Sequence, residues 1–269
     1  MADMINKLSL TGLAASLAGA MGVEVPAQAE ASLRSLDQMV QRETKSGRVD
    51  RIFMYNPDAV ALWLYQKYTD MFEPVLRHTS LALPLCSVMP SVTPVCFGTM
   101  YTGAQPAVHG IRRYEKPVIR IDTLFDAMIR AGKKVALVVD DECSMGKIFC
   151  EREMDYFYCE NEDAINAKAM DLIEQDVYDM ICVYNGNYDA TMHKNGPEGE
   201  ASMAALTHNT AAFEKFALAI EEKWSGHDTL LAFAMDHGCH EIDGNCGSHG
   251  LDMPEDLNII HFYGVKGRK

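Results

Sequence analysis

The chain predicts an α/β fold, a doubly wound and mostly parallel sheet with helices on both faces. Three observations carry this expectation. Short apolar runs alternate with helix-length segments from about residue 49 onward, the order that builds parallel sheets through crossover helices. The last run, Leu257 to Tyr263, is almost continuously apolar, as a strand buried on both faces should be. Acidic residues or histidines follow several of these runs directly, where open α/β sheets gather their ligands.

Taken in order, residues 1–48 read as a helical lead-in to a single domain spanning 49–269, with no internal repeat, low-complexity tract or Pro/Ser-rich linker. Lys7, the apolar stretch Leu8 to Gly22 and Ala27-Gln-Ala29 together fit either a secretory leader or an ordered helix. The near-fourfold spacing of Leu8, Leu13, Leu17 and Met21 favours an amphipathic helix. Arg51 to Tyr55 predicts a buried strand, Ala59 to Met71 the helix after it, and Asp58 falls at their junction. Ser80 to Val88 predicts a second strand. Pro90-Ser-Val-Thr-Pro94 then turns into the segment Val95 to Tyr101, which ends at Thr102-Gly103.

Further along, a helix is expected at Ile121 to Ala131, a strand at Lys134 to Val139 and a short strand near Tyr156. Helix Glu162 to Gln175 and strand Tyr178 to Tyr184 follow. Gly186 to Pro197, rich in Gly and Asn, reads as a loop, and Glu198 to Trp224 as a long helix. The penultimate strand, Thr229 to Met235, delivers Asp236.

The composition narrows the function. Of 269 residues, 48% are apolar and 23% charged, enough for a full core, and the net charge of -14 opposes binding to nucleic acid polymers or anionic membranes. A small anionic substrate would need local positive charge, which divalent cations supply within an acidic protein. Eight cysteines without a CxxC pair suggest reduced thiols and a cytoplasmic protein. No apolar run approaches the roughly 20 residues needed to span a bilayer.

The chemistry concentrates in Asp58, Asp189 with His193, Asp236 with His237, and His249. Three aspartates and three histidines suffice for two divalent ions, zinc first and manganese as the alternative. Two ions about 4 Å apart can clamp a phosphoryl group and activate an alcohol or water. Thr93 is the candidate hydroxyl nucleophile, with Ser91 its rival. Asn56 competes with Asp58, which could serve only as a helix cap. Cys239, His240, Cys246 and His249 admit a structural zinc, but their spacing is irregular.

Ordered along the chain, Asp58, Pro90-Ser-Val-Thr-Pro94 with Thr102-Gly103, His109-Gly-Ile111, Asp189-x-x-x-His193, Asp236-His237-Gly238 and Gly247-Ser-His249-Gly250 resemble the alkaline phosphatase superfamily. The resemblance is strongest to its nucleotide pyrophosphatase/phosphodiesterase and phosphomutase-like branches. It implies that Thr93 forms a phosphothreonine intermediate and touches an ion held by Asp58, Asp236 and His237. Asp189, His193 and His249 would hold the second ion, which activates the water that cleaves the intermediate.

The implied function is a metal-dependent phosphoric ester hydrolase, of phosphodiesterase, nucleotide pyrophosphatase or phosphatase type, acting on a small phosphorylated substrate with nucleotides among the candidates. The rivals are a phosphomutase sharing the intermediate and a catalytically silent metal- or partner-binding protein on the same fold; homo-oligomerisation stays open. The sequence departs from the family in two places. Cys96 stands where the phosphodiesterase branch often has asparagine, and only the short Gly238 to Ser248 stretch occupies the place of a large insertion. The expectation is therefore an alkaline phosphatase-like core without a large cap.

Overall fold

The computed structural model describes residues 4–269. A 3-10 turn, Leu10–Gly12, runs into α1 (Leu13–Met21), which stops at Gly22 in the left-handed conformation (φ 66°) that glycine adopts without steric cost. The expected amphipathic helix is instead buried around nearly its whole circumference, with only Gly19 of its residues exposed. Its leucines belong to the same apolar cluster as the sheet. Helix α2 (Arg34–Glu43) completes the lead-in, and Ser16 ties the two together by donating to Asp37 at 2.7 Å.

The main sheet is built from β1 (Arg51–Pro57), β2 (Leu81–Cys86), β3 (Val135–Asp140), β4 (Asp155–Cys159), β5 (Met180–Asn185), β6 (Thr229–Ala234) and a last strand at Asn258–Lys266. A separate hairpin, β7 (His240–Ile242) and β8 (Cys246–Ser248), precedes that last strand, β9. Sheet order is β2-β9-β6-β1-β5-β3-β4, and only β9 runs against the others. The sheet is mostly parallel, as expected; the two antiparallel pairings both belong to β9.

Helices cover both faces. On one side lie α3 (Leu62–Lys67), α4 (Glu73–Leu76), α9 (Glu162–Gln175), α10 (Asn187–Asn195) and the long α11 (Glu200–Lys223); on the other α1 and α2 join α5 (Thr93–Thr102), α6 (Pro106–His109), α7 (Leu124–Arg130) and α8 (Ser144–Ile148). A short α12 (Pro254–Leu257) leads into β9. Alternation along β1 divides its side chains between the layers. Phe53 and Tyr55 pack at a tilt against Phe216 of α11, whereas Asn56 accepts a hydrogen bond from Tyr101 of α5 at 2.7 Å.

Two departures from expectation touch the site. The continuous helix expected from Ala59 to Met71 is broken: Ala59 sits at φ 62°, α3 begins only at Leu62, and a 3-10 turn at Thr69–Phe72 separates it from α4. The reason lies in the neighbouring strands. The Asp58 N–H donates to Asn185 O at 3.0 Å and the Ala59 N–H to Asp236 Oδ1 at 3.3 Å, so cross-strand bonding overrides helical propensity. The Gly186–Pro197 segment, expected as a loop, is largely helix α10. Tyr188 and Met192 are buried along one side of it, and that tertiary contact holds a turn sequence helical.

Candidate active site

Strands β6, β1 and β5 are consecutive and parallel, so the residues just beyond their carboxyl ends, Asp236, Asp58 and Asp189, share one edge at interstrand spacings of about 4.8 Å. Strand β2 points the same way, and Ser87 to Val92 bring the chain back so that α5 opens at Thr93. The helix therefore directs the positive end of its dipole at this edge.

Thr93 Oγ1 lies 3.3 Å from Asp58 Oδ2, to which it donates, and 3.4 Å from His237 Nε2. That same Nε2 stands 3.3 Å from both Asp58 Oδ1 and Asp236 Oδ2. Asp58, Asp236 and His237 thus form one triad around the threonine, and all three side chains are essentially sealed from solvent. Beside it, Asp189 and His193 face one another from successive turns of α10, with Nε2 3.2 Å from Asp189 Oδ1, and His249 Nε2 approaches the same oxygen to 3.4 Å. The His237 and His249 rings stack with centroids 4.1 Å apart, so the triads adjoin. The second is more open: the His193 side chain is 41% exposed.

Each histidine turns its Nδ1 towards a backbone carbonyl: His237 to Gly238 O at 2.9 Å, His193 to Gly247 O at 3.0 Å and His249 to Ser91 O at 3.0 Å. On the neutral His237, an Nδ1–H donated in this way leaves Nε2 as a lone pair aimed at Asp58 and Asp236, which is repulsive without a cation between them. On His193, Nε2 instead faces Asp189 with a proton that an ion would displace. Asp58 Oδ1 and Asp236 Oδ2 are moreover buried with no hydrogen-bond donor among the described residues. The donor chemistry fits two divalent ions: two carboxylates and one imidazole beside the Thr93 hydroxyl, and one carboxylate with two imidazoles in the open triad, a zinc-like set that leaves a position free.

The electrostatics express the same strain. Burial, reinforced by the charge of Asp189, pushes the Asp58 carboxyl up to about 7, and burial with Asp58 nearby drives Asp236 well above the ordinary carboxylate range. Burial lowers His237 to about 3, so it is neutral at physiological pH. Pairing with Asp189 raises His193 to about 9. Burial works against charging His249, but its bonds to Asp189 outweigh that and its pKa is raised.

No protein-family model matches the sequence, and no curated protein matches it. Solved structures do. Human ectonucleotide pyrophosphatase/phosphodiesterase 5 aligns with a TM-score of 0.62 over 81% of this chain and 88% of that one, at 11% identity. The murine protein of that name, an inactive form in complex with AMP, gives 0.57 over 72% of this chain and 59% of the other, at 14% identity. Phosphonoacetate hydrolase from Sinorhizobium meliloti, in complex with phosphonoacetate, gives 0.52 over 72% and 58%, at 18% identity. The fold is that of the alkaline phosphatase superfamily. The chain spans most of the human protein's chain but little more than half of the other two.

The rival residues stand apart from the triads. Asn56 donates to Ala234 O at 2.7 Å inside the sheet; Ser91 gives only its backbone carbonyl to His249, and its hydroxyl is buried with no hydrogen-bond partner among the described residues. Cys96 is fully buried 3.2 Å from Ser87 Oγ, which donates to the Asp236 carbonyl at 2.6 Å, so position 96 belongs to the scaffold beneath the site. His109 sits 3.1 Å from Thr99 Oγ1, away from the triads. Cys239, His240, Cys246 and His249 do not converge: Cys239 is beside Tyr188, His240 on Asp256 and Cys246 beside Lys194 O.

Sequence reasoning overlooked Tyr184, whose hydroxyl donates to Asp58 Oδ2 at 2.5 Å. A polar aromatic at the end of an apolar strand was the available signal. It also overlooked the carbonyls of Gly238, Gly247 and Ser91, which no sequence pattern reveals.

Proposed function

We propose that this chain is a two-ion phosphoric ester hydrolase, with Thr93 as nucleophile and a phosphothreonine intermediate. The observation that carries the reading is the position of Thr93 Oγ1, at the mouth of α5 and within 3.4 Å of two members of the sealed triad. Bound divalent ions would polarise the phosphoryl oxygens and lower the pKa of the threonine alcohol and of water, with zinc favoured and manganese second. Asp58, Asp236 and His237 would hold one beside Thr93, and Asp189, His193 and His249 the other.

The remaining work falls to the protein. Asp58 Oδ2 takes the hydrogen bond of the Thr93 hydroxyl and orients its lone pair outward, while Tyr184 fixes that carboxylate from behind. The α5 dipole favours the anionic phosphoryl group at the helix start. Attack by Thr93 Oγ1 on phosphorus releases the leaving alcohol and forms the ester to threonine. Water then returns the threonine, entering on the side where His193 is exposed. That exposure favours transfer to water over transfer to a second sugar or glycerate hydroxyl, as a phosphomutase would require.

The substrate class is a small phosphate ester, with nucleotides among the candidates because AMP is bound by a structural neighbour. The test is direct. Purified protein should contain about two divalent ions and hydrolyse a chromogenic phosphate mono- or diester. Thr93→Ala should keep the ions and lose at least about 10³-fold in turnover. Ion-replete wild type inert towards both ester classes would remove the hydrolase reading and leave a silent ion-binding protein.

A further inference from the structure

Between the paired ligands Asp236-His237 and the last ligand His249, the chain makes one excursion, the hairpin β7–β8 and its flanks. This excursion does two things for the open triad. It carries His249, and through the Gly247 carbonyl it receives the His193 Nδ1 contact at 3.0 Å. Two of the three open-triad ligands therefore depend on where the hairpin lies.

Its position is fixed from below by one residue. Asp256, in α12, is fully buried and outside both triads. Its carbonyl accepts the Gly238 N–H at 2.8 Å, its Oδ1 lies 2.7 Å from His240 Nδ1, and its Oδ2 accepts the Leu251 N–H at 2.8 Å. Gly238 and His240 begin the excursion and Leu251 ends it, so a single side chain and its own carbonyl clamp both legs. The clamp is also tight in packing. A Cβ at Gly238 would press on the Glu255 carbonyl and lie 3.0 Å from Ala61 Cβ.

We propose that Asp256 is a positioning residue whose carboxylate staples the 238–251 excursion, and so sets the ion affinity of the Asp189, His193 and His249 triad without touching it. The proposal rests on the two-ion reading above. Its physical basis is general: groups that orient ion ligands cost about 10- to 100-fold in affinity when removed. The sealed triad should be indifferent to side-chain variants, because Tyr184 holds Asp58, and Gly238, whose carbonyl meets His237 Nδ1, is bonded to the Asp256 backbone carbonyl that every such variant keeps.

The experiment is zinc titration of the chelator-treated full chain, wild type against Asp256→Ala, Asp256→Asn, His240→Ala and His249→Ala. The binding event abolished in His249→Ala identifies the open triad. Asp256→Ala should weaken that event about 10- to 100-fold and leave the other unchanged. Asp256→Asn, which can still accept from Leu251 and pair with His240, should recover most of the loss. His240→Ala keeps Asp256 and its Leu251 bond and should weaken the event less; it serves as the variant least disruptive to folding.

Hydrogen exchange of amides 241–251, measured before any ion is added, should accelerate in Asp256→Ala. Equal loss of both events, or an unchanged open-triad event, would overturn the staple alone. Wild type lacking a His249-dependent event would overturn the two-ion reading and the staple with it.

Discussion

At the scale of single residues, the site is organised by which protonation states burial permits. His193 is raised to about 9 by Asp189, so in the ion-free protein it is charged at neutral pH. An ion entering the open triad must displace that proton. Between pH 7 and 9 zinc affinity of this triad should therefore climb, approaching about tenfold per unit for a single displaced proton. The sign for stability is the opposite. A raised histidine pKa stabilises the ion-free fold fully below the unfolded value of 6.5 and loses that contribution as pH rises through about 9. The buried His237, lowered to about 3, does not interfere in this window, because it is neutral in the native state and has lost its proton in the unfolded chain by then. Competition with a chromophoric chelator at pH 7, 8 and 9 checks the affinity; melting with a chelator present, wild type against His193→Gln, checks the stability, because the raised Asp58 and Asp236 carboxyls also lose stability as pH rises and are common to both proteins. An affinity flat across that range would contradict the Asp189–His193 pairing as the controlling interaction.

At the scale of elements, hairpin and helix α10 act as one unit. Gly247 abuts Met192: a Cβ there would meet the Met192 side chain and lie 2.9 Å from its carbonyl oxygen. Gly247→Ala should cost about 1–3 kcal/mol by overpacking, and should weaken ion binding because His249 follows β8 directly and the His193 Nδ1 loses its place at the Gly247 carbonyl. Denaturant melts together with zinc titration test this; a variant with normal affinity would show that the hairpin does not transmit its position to the ligands. This unit was also the least legible part of the sequence. The acidic residues and histidines that the structure brings together could be read because they follow apolar runs at short, ordered spacings, but their supporting elements could not. Helix α10 carries Gly186, Asn187, Asn195 and Gly196, all turn signals, and only the four-residue interval from Asp189 to His193 hinted at a helical face. Strands β7 and β8 have three residues each, too few for a period to show. The reversed direction of β9 was equally hidden, since periodicity reports burial and not polarity of the chain.

At the scale of the whole molecule, the site depends on a rigid base that begins far from it in sequence. Thr93 is placed by α5, which is buried along its length and packs against α1, α7 and α8. Within α1, Leu13 and Leu17 are wholly buried, and Glu30 beyond it donates its N–H to the Gly103 carbonyl that ends α5, at 2.8 Å. Its apolar spacing could be read as an amphipathic face because leucines recur every fourth residue; the intervening alanines hid the burial of the other side, being small enough to let neighbouring helices approach closely. The lead-in is thus part of the core that positions Thr93. Leu17→Ala should cost about 2–5 kcal/mol, the range for a buried leucine whose cavity closes only partly. Urea unfolding followed by far-UV circular dichroism measures it, with an unchanged denaturant slope indicating that the native state keeps its extent. A loss below about 0.5 kcal/mol would mean that α1 rides on the surface and that α5 is held without it, since substitutions away from packed sites usually fall within that margin.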